Sequence, residues 1–445
     1  MNASFALISL GCAKNQVDSE HMVGCMAEAG FRQVEPGEAD VLIINTCGFI
    51  DPAKEEAINT IFDAVRAREA GEAPAEQQII VAGCLSQRYA KELAKEMPEV
   101  ACFMGVDEIT RVADIATACL NGTAEKTYTT KVSTYLPDWG VPRRLISPPH
   151  YAYVKIAEGC NRYCSYCAIP LITGKFTSRP KEEILDEVRW LVAKGVKEFN
   201  VIAQDLSSYG LDLYGEHRLA ELIDAMAQIQ GVEWIRLHYA YPTDFPYDIL
   251  PVMAKHPNVC KYMDIALQHC SSNVLNKMRR HITREEQDAL IQRIRQEVPG
   301  ICIRTTLLVG HPGETEEDFE ELCEWVEKMR FDRMGAFAYS EEEGTFAARH
   351  YADDIPQEVK EQRVERLMAI QQNISAEILS QMVGSQQRIV IDREEEAYYI
   401  GRTQFDSPEV DCEVLIAKED KTLNIGEFYN VTIIKSEDFD LYARL

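Results

Sequence analysis

At 445 residues, the chain is long enough for about three folded domains, and with no apolar run near the roughly 20 residues that cross a bilayer it is expected to be soluble and cytoplasmic. Its formal net charge of -26, from 46 basic and 72 acidic residues, disfavours a partner held chiefly through phosphates and favours a basic one. Fourteen cysteines in a chain of this size point to reduced thiols and metal ligation, because disulfide frameworks belong to small secreted domains.

Residues 1–125 are expected to form an α/β domain with a parallel sheet. Three short β-rich runs, FALISL, DVLIINT and QIIVAG, alternate with helical stretches such as SEHMVGCMAEAG and PAKEEAINTIFDAVRAREA. Each run ends in a cysteine: Cys12 in SLGC, Cys47 in NTCG and Cys84 in VAGC. An open parallel sheet gathers its strand C-termini along one edge, where such folds place ligands. Gly11, Gly48 and Gly83 beside the thiols allow tight turns and close approach to a cofactor. Any one of these cysteines alone is an ordinary buried residue at a strand end; the threefold repetition points to a metal site. Cys25, Cys102 and Cys119 have no such placement and read as structural.

Residues 126–149, including VSTYLPDWGVPRRLISPP, are proline-rich and aperiodic and read as a linker. Residues 150–377 then carry six strand-like runs, AYVKIAEG, FNVIAQD, WIRLHYAY, YMDIALQ, IRTTLLVG and RMGAFAYS, each followed by an amphipathic segment. Six β/α units predict a partial TIM-like (β/α)6 barrel. After its first strand comes GCNRYCSYCAIP, which places Cys160, Cys164 and Cys167 in a C-x3-C-x2-C pattern. A cubane 4Fe-4S cluster is normally held by four thiolates, so this loop leaves one iron open to a small molecule. A structural zinc site needs a closed set of four ligands, and no second C-x2-C pair or nearby His completes one. Barrel chemistry sits at the C-terminal ends of the strands, so Gln204, Asp205, His238, Gln268, Thr306, Gly310 and Tyr339 or Ser340 are expected around the same mouth. In GHPGETEEDF, Thr315 and Asp318 have the spacing of a helix capping box.

Residues 378–445 contain five short strand-like runs, as in a small β-barrel of oligonucleotide-fold type. This segment carries seven basic residues against fourteen acidic ones, so it lacks the electrostatic footprint of an RNA binder, and contact with nucleic acid is expected to be weak or indirect.

Taken together, GCxKN with NTC and AGC, the three-cysteine loop followed by Ser178-Arg179-Pro180, and the GRTQFDSPEVD run of the terminal barrel closely resemble the methylthiotransferases of the radical S-adenosylmethionine superfamily over essentially the whole chain. The resemblance implies a radical S-adenosylmethionine barrel in the centre and a TRAM barrel at the end. QDLSSYGLDLYG, YMDIALQHCSS and YSEEEGT are similar to the branch that modifies an aspartate of small-subunit ribosomal protein number twelve; the other main branch modifies adenosine in transfer RNA. The acidic terminal barrel independently suits a basic ribosomal protein. By resemblance, Cys160, Cys164 and Cys167 hold a catalytic 4Fe-4S cluster that reductively cleaves S-adenosylmethionine to a 5'-deoxyadenosyl radical. Cys12, Cys47 and Cys84 hold a second cluster that carries the sulfur, and two S-adenosylmethionine molecules, a reductant and a sulfur donor take part. Tyr166, Gln204 and Thr306 are the expected contacts to S-adenosylmethionine. The product implied is a β-methylthioaspartate.

Overall fold

A computed structural model describes residues 3–136, 138–418 and 422–445. The N-terminal region is built on strands β1 (Ser4–Ser9), β2 (Arg32–Gln33), β3 (Val41–Thr46), β4 (Gln78–Gly83), β5 (Cys102–Met104) and β6 (Thr127–Tyr128). They form one parallel sheet in the order β2-β1-β3-β4-β5-β6. Helices cover both faces, so the central β3 does not alternate between buried and exposed positions: every residue of Val41–Thr46 is buried, the polar Asn45 and Thr46 included. The three strands foreseen from sequence are the adjacent β1, β3 and β4. The other three are two or three residues long, too short for a periodic signal, and β6 lies inside the stretch read as a linker. The rest of that stretch, as far as it is described, is without helix or strand up to His150.

Six parallel strands form the central sheet, in the order β14-β13-β12-β11-β10-β7. Their bounds are β7 (Tyr151–Lys155), β10 (Glu198–Ile202), β11 (Trp234–Ala240), β12 (Val259–Ile265), β13 (Cys302–Val309) and β14 (Arg333–Ala338). These are the six runs read from the sequence. A small antiparallel ribbon of β8 (Ala157–Glu158) and β9 (Thr177–Ser178) brackets the cysteine loop and was not foreseen. Along β13 the side chains alternate: Ile303, Thr305, Leu307 and Val309 are buried, whereas Arg304, Thr306 and Leu308 line the interior cavity. On β7, likewise, Ala152 and Val154 join the core under the helices while Tyr153 and Lys155 line the cavity. The helix Glu316–Met329 starts with the expected capping box of Thr315 and Asp318.

Helix Gln357–Ser380 leads out of the barrel into a closed five-stranded barrel, β15 (Gln386–Glu394), β16 (Tyr398–Thr403), β17 (Val414–Ala417), β18 (Phe428–Ser436) and β19 (Leu441–Arg444), in the order β15-β16-β17-β19-β18. The GRTQFDSPEVD run docks on the N-terminal ends of the central strands. Arg402 pairs with Glu198 (2.8 Å), Asp406 with Arg333 (2.6 Å), and Asp411 accepts from the Tyr262 hydroxyl (2.7 Å). Part of the terminal barrel's acidity, read from sequence as suited to a basic partner, is therefore used internally.

A second buried ion network ties the first region to the second. Arg143 donates to Glu20 of helix Ala13–Glu28 (2.8 Å) and to Glu187, which also accepts from Arg179 (2.6 Å). Arg179 is the arginine of the Ser-Arg-Pro run, and its guanidinium also reaches the Lys155 carbonyl (2.7 Å). A network of this kind fixes relative position more than it adds net stability.

Candidate functional site

A single cavity of about 1300 Å³ lies between the three regions. All six cysteines singled out from the sequence line it: Cys12, Cys47 and Cys84 on one side and Cys160, Cys164 and Cys167 on the other. The first set converges because β1, β3 and β4 are neighbours. Cys12 is the N-cap of helix Ala13–Glu28, Cys47 directly follows β3, and Cys84 opens helix Cys84–Glu96 after β4. Gly83, at φ +91°, makes the turn into that helix, and a Cβ there would stand 2.6 Å from the Thr46 carbonyl oxygen. Asn15 pins the edge by donating to the carbonyls of Leu10 (3.1 Å) and Thr46 (3.0 Å), and its Oδ1 lies 3.7 Å from the Cys84 thiol.

The second set sits on one loop. Gly159, at φ +72°, precedes Cys160 and packs so closely on the backbone of Gly174 and Lys175 that a side chain would collide. The Arg162 amide donates to the Cys160 sulfur (3.5 Å), Arg280 Nη1 donates to the Cys164 sulfur (3.4 Å), and the Tyr241 hydroxyl lies 3.5 Å from the same sulfur. Arg162 is held in turn by Asp205 (2.7 Å) and Ser208 (3.2 Å). Arg280 carried no local sequence signal: it comes from the segment after helix Ser272–Lys277 and reaches the loop only through the fold.

Burial pushes the Cys160 thiol up to about 12, and burial together with the neighbouring cysteines raises Cys84 and Cys167 as well. Such thiols need a cationic centre to exist as thiolates. Among the described residues, no three His, Cys, Asp or Glu side chains converge on one metal ion. Thiols in two sets of three suit multi-iron clusters, in which each sulfur takes its own iron, and do not form a closed zinc site.

Of the expected cofactor contacts, Tyr166, Gln204 and Thr306 all line the cavity. Gln204 donates to Glu158 (3.0 Å), while its Oε1 is buried without a partner, leaving an acceptor open to a ligand. Tyr166 meets the His311 ring edge-on at 6.5 Å. His238, Gln268, Tyr339 and Ser340 also line the cavity. Asp205 and Gly310 do not: Asp205 is turned to Arg162 and the Ser207 amide, and Gly310 donates its amide to Glu314 (2.7 Å). Sequence reasoning assigned no role to Lys155, whose ammonium joins Asp18 (2.6 Å) to Glu158 across the two regions, or to Arg304 inside the barrel. Ser407 to Val410 of the terminal barrel close the cavity from below.

Comparison with known proteins accounts for all three regions. The families described as "Uncharacterized protein family UPF0004", "Radical SAM superfamily" and "TRAM domain" match residues 4–105, 154–326 and 383–445. A protein of Phocaeicola vulgatus named ribosomal protein uS12 methylthiotransferase RimO is 54% identical over 443 residues, covering 99% of this chain and 98% of its own. Proteins of the same name from Bacteroides fragilis and Cytophaga hutchinsonii are 54% and 46% identical, each over 99% of this chain and 98% and 97% of their own. Among solved structures, the radical S-adenosylmethionine methyltransferase TsrM of Kitasatospora setae aligns with a TM-score of 0.54 at 13% identity over 92% of this chain and 80% of its own. The cobalamin-dependent radical enzyme OxsB aligns with a TM-score of 0.53 at 11% identity over 83% and 56%. At those identities the likeness is one of fold.

Proposed function

The chain belongs to the ribosomal protein uS12 methylthiotransferase family, and on that premise we propose how its residues divide the labour of a radical S-adenosylmethionine methylthiotransferase acting on an aspartate of uS12. Cys160, Cys164 and Cys167 would hold one 4Fe-4S cluster, and Cys12, Cys47 and Cys84 a second. When bound, these groups and S-adenosylmethionine supply the electron, the hydrogen-abstracting radical, the sulfur and the methyl group that no protein side chain can supply. The observation that carries this reading is that one cavity is lined by both cysteine sets.

The protein's own part is placement and exclusion of water. Arg280 and the Arg162 amide donate hydrogen bonds to sulfur, which stabilises negative charge on the Cys164 and Cys160 thiolates. Gln204, with its free Oε1, would accept from an ammonium or hydroxyl donor of S-adenosylmethionine, and Thr306 and Tyr166, which line the same cavity, would complete its binding site. The Lys155 bridge to Asp18 and Glu158 holds helix Ala13–Glu28, and with it Cys12, at a fixed distance from the barrel mouth. Among the described residues no helix is long and apolar enough to cross a membrane; a cytoplasmic enzyme drawing on a cellular reductant and sulfur donor and meeting a basic ribosomal protein fits the acidic chain.

The test is mass spectrometry of uS12 after anaerobic incubation with reconstituted enzyme, S-adenosylmethionine, reductant and sulfide. A gain of one methylthio group on an aspartate, with 5'-deoxyadenosine formed, is the expected result. Transfer of methylthio to transfer RNA and none to uS12 would overturn the substrate.

A further inference from the structure

Six lysine and arginine side chains line the cavity: Lys14, Lys155, Arg162, Arg280, Arg304 and Lys360. Five are committed. Lys155 pairs with Asp18 and Glu158, Arg162 with Asp205 and Asp244, and Lys360 with Asp353 (2.6 Å). Arg280 donates to the Cys164 sulfur and the Ala266 carbonyl, and Arg304 lies 3.3 Å from Asp264 and 3.4 Å from Asp411. Lys14 differs. Among the described residues it has no carboxylate or carbonyl acceptor, and its ammonium rests 3.8 Å from the centre of the Tyr239 ring.

The backbone is shaped to make that contact. Tyr239 sits in β11 at φ +66°, where the register with β12 is interrupted between Leu237 and Ala240. A bulky residue in left-handed conformation within a strand is costly and persists where the surroundings impose it, commonly at functional sites, and an irregularity of this kind re-aims a side chain. Here the ring and Lys14 both face the cavity, and Lys14 stands two residues from Cys12. An ammonium over an aromatic face is held less firmly than one donating to a carboxylate. The lysine is thus held in place over the ring, yet open to an anion.

We propose that Lys14 is the substrate-reading cation of this enzyme: its ammonium binds the side-chain carboxylate of the target aspartate and so holds the adjoining β-carbon beside Cys12, Cys47 and Cys84. This rests on the uS12 reading above. The carboxyl carbon is bonded directly to the carbon that receives the sulfur, so anchoring the carboxylate leaves the β-carbon little freedom. It also gives a reason why aspartate is chosen over asparagine, since the amide offers neither the charge nor a second acceptor oxygen.

The experiment is calorimetric titration of reconstituted holoenzyme with uS12 and with uS12 carrying asparagine at the modified position, for the unsubstituted enzyme, Lys14→Gln and Lys14→Arg. The unsubstituted enzyme should prefer the aspartate form by about tenfold or more, the range of a charge-assisted hydrogen bond. Lys14→Gln should bring the two forms within roughly twofold, and Lys14→Arg should keep a clear preference. Preference unchanged in Lys14→Gln, or absent in the unsubstituted enzyme, overturns the assignment. So does an altered electron paramagnetic resonance spectrum of Lys14→Gln without uS12 while the preference survives, which would make the lysine a neighbour of the thiol-bound group instead. Mass spectrometry of the same mixtures separates the two claims: methylthiolated uS12 with no effect of Lys14→Gln on preference removes only the lysine's role, whereas no methylthiolation by the unsubstituted enzyme removes the reading on which it rests.

Discussion

The two cysteine sets face the same cavity but are made in opposite ways. Cys160, Cys164 and Cys167 lie within eight residues on one loop, and their spacing is a property of the local chain. Cys12, Cys47 and Cys84 come from three separate strand ends and meet only because β1, β3 and β4 are adjacent and parallel. The surroundings differ as well. The loop set is embraced by donors from the Arg280 side chain and the Arg162 amide, with the Tyr241 hydroxyl in hydrogen-bond contact with the Cys164 sulfur, while Cys12 is exposed and Asn15 is the one side chain hydrogen-bonded to a thiol of the strand-end set among the described residues. On the division of labour proposed above, the loop set, which would pass an electron, benefits from a fixed, donor-rich shell, whereas the strand-end set, which would deliver an atom, must stay open to what receives it.

Removing one thiol from each set gives the largest contrast. Cys160→Ala should abolish 5'-deoxyadenosine production, measured by chromatography. Cys47→Ala should retain it and lose methylthio transfer; full transfer by that variant would break the assignment of the strand-end set. The backbone offers a second way to part them. Gly83→Ala places a Cβ against Thr46 and Asn45, and Gly159→Ala places one against Gly174 and Lys175, both at positive φ. Each should cost on the order of 3 kcal/mol in local stability. Iron and sulfide analysis should then show each variant depleted by one cluster, with 5'-deoxyadenosine formation lost only in Gly159→Ala.

How far each set could be read in advance follows from the same difference. The loop announced itself by spacing. The strand-end set needed the sheet order as well, which the apolar runs and the cysteine at the end of each suggested. All six barrel strands and all five terminal strands were legible because each is four to nine residues long and bounded by turn residues. Strands of two or three residues, β2, β5, β6, β8 and β9, hold too few positions for a period of two to register. Arg280, Lys155 and Arg304 were missed for a different reason: an isolated cation has no sequence signature, and its partners come from elements far away in the chain. The acidic count of the terminal barrel misled in part, because composition does not distinguish Asp406 and Asp411, locked to Arg333 and Arg304, from exposed carboxylates.

A smaller effect should come from a contact that ties the strand-end set to the barrel. Arg88 donates to the Gly48 carbonyl (2.9 Å), just after Cys47, and pairs with Glu342 (2.7 Å) of the loop after β14; both side chains are buried. It therefore clips the Cys47 turn to the barrel. Glu342 also has Lys54 at 3.0 Å, so its charge is not stranded when Arg88 is removed, and the loss should fall below the 3–5 kcal/mol of a fully broken buried pair; about 2 kcal/mol is expected. Arg88→Ala should leave both clusters assembled but raise the ratio of 5'-deoxyadenosine to methylthiolated uS12 severalfold. An unchanged ratio would mean that the strand-end set needs no such clip.

The mildest test uses acid, and it addresses how the strand-end region is seated on the barrel. His21, on the helix that begins at Cys12, is buried with its Nδ1 3.2 Å from the Pro142 carbonyl oxygen. Burial, reinforced by the Arg143 guanidinium, lowers its pKa from 6.5 to about 3. It is neutral in the fold and would take a proton near 6.5 once released, so its contribution is complete above about pH 6.5 and is lost progressively as the pH falls toward 3. Glu187, in the same network, is pushed up by burial but pulled down further by Arg179 and Arg143, to about 2; its contribution is complete above 4.5 and fails only as the pH falls toward 2. Between pH 7 and 5.5 the histidine therefore acts first and Glu187 hardly at all, and unfolding in urea should show a loss of about 1 kcal/mol attributable to His21. His269 and His311 in the barrel, lowered by burial to about 3 and about 4, add losses of the same sign. His21→Asn, whose amide can still donate to Pro142, should remove its own share and leave theirs. An identical pH slope in the variant would show that the strand-end region is held to the barrel without regard to this histidine's charge.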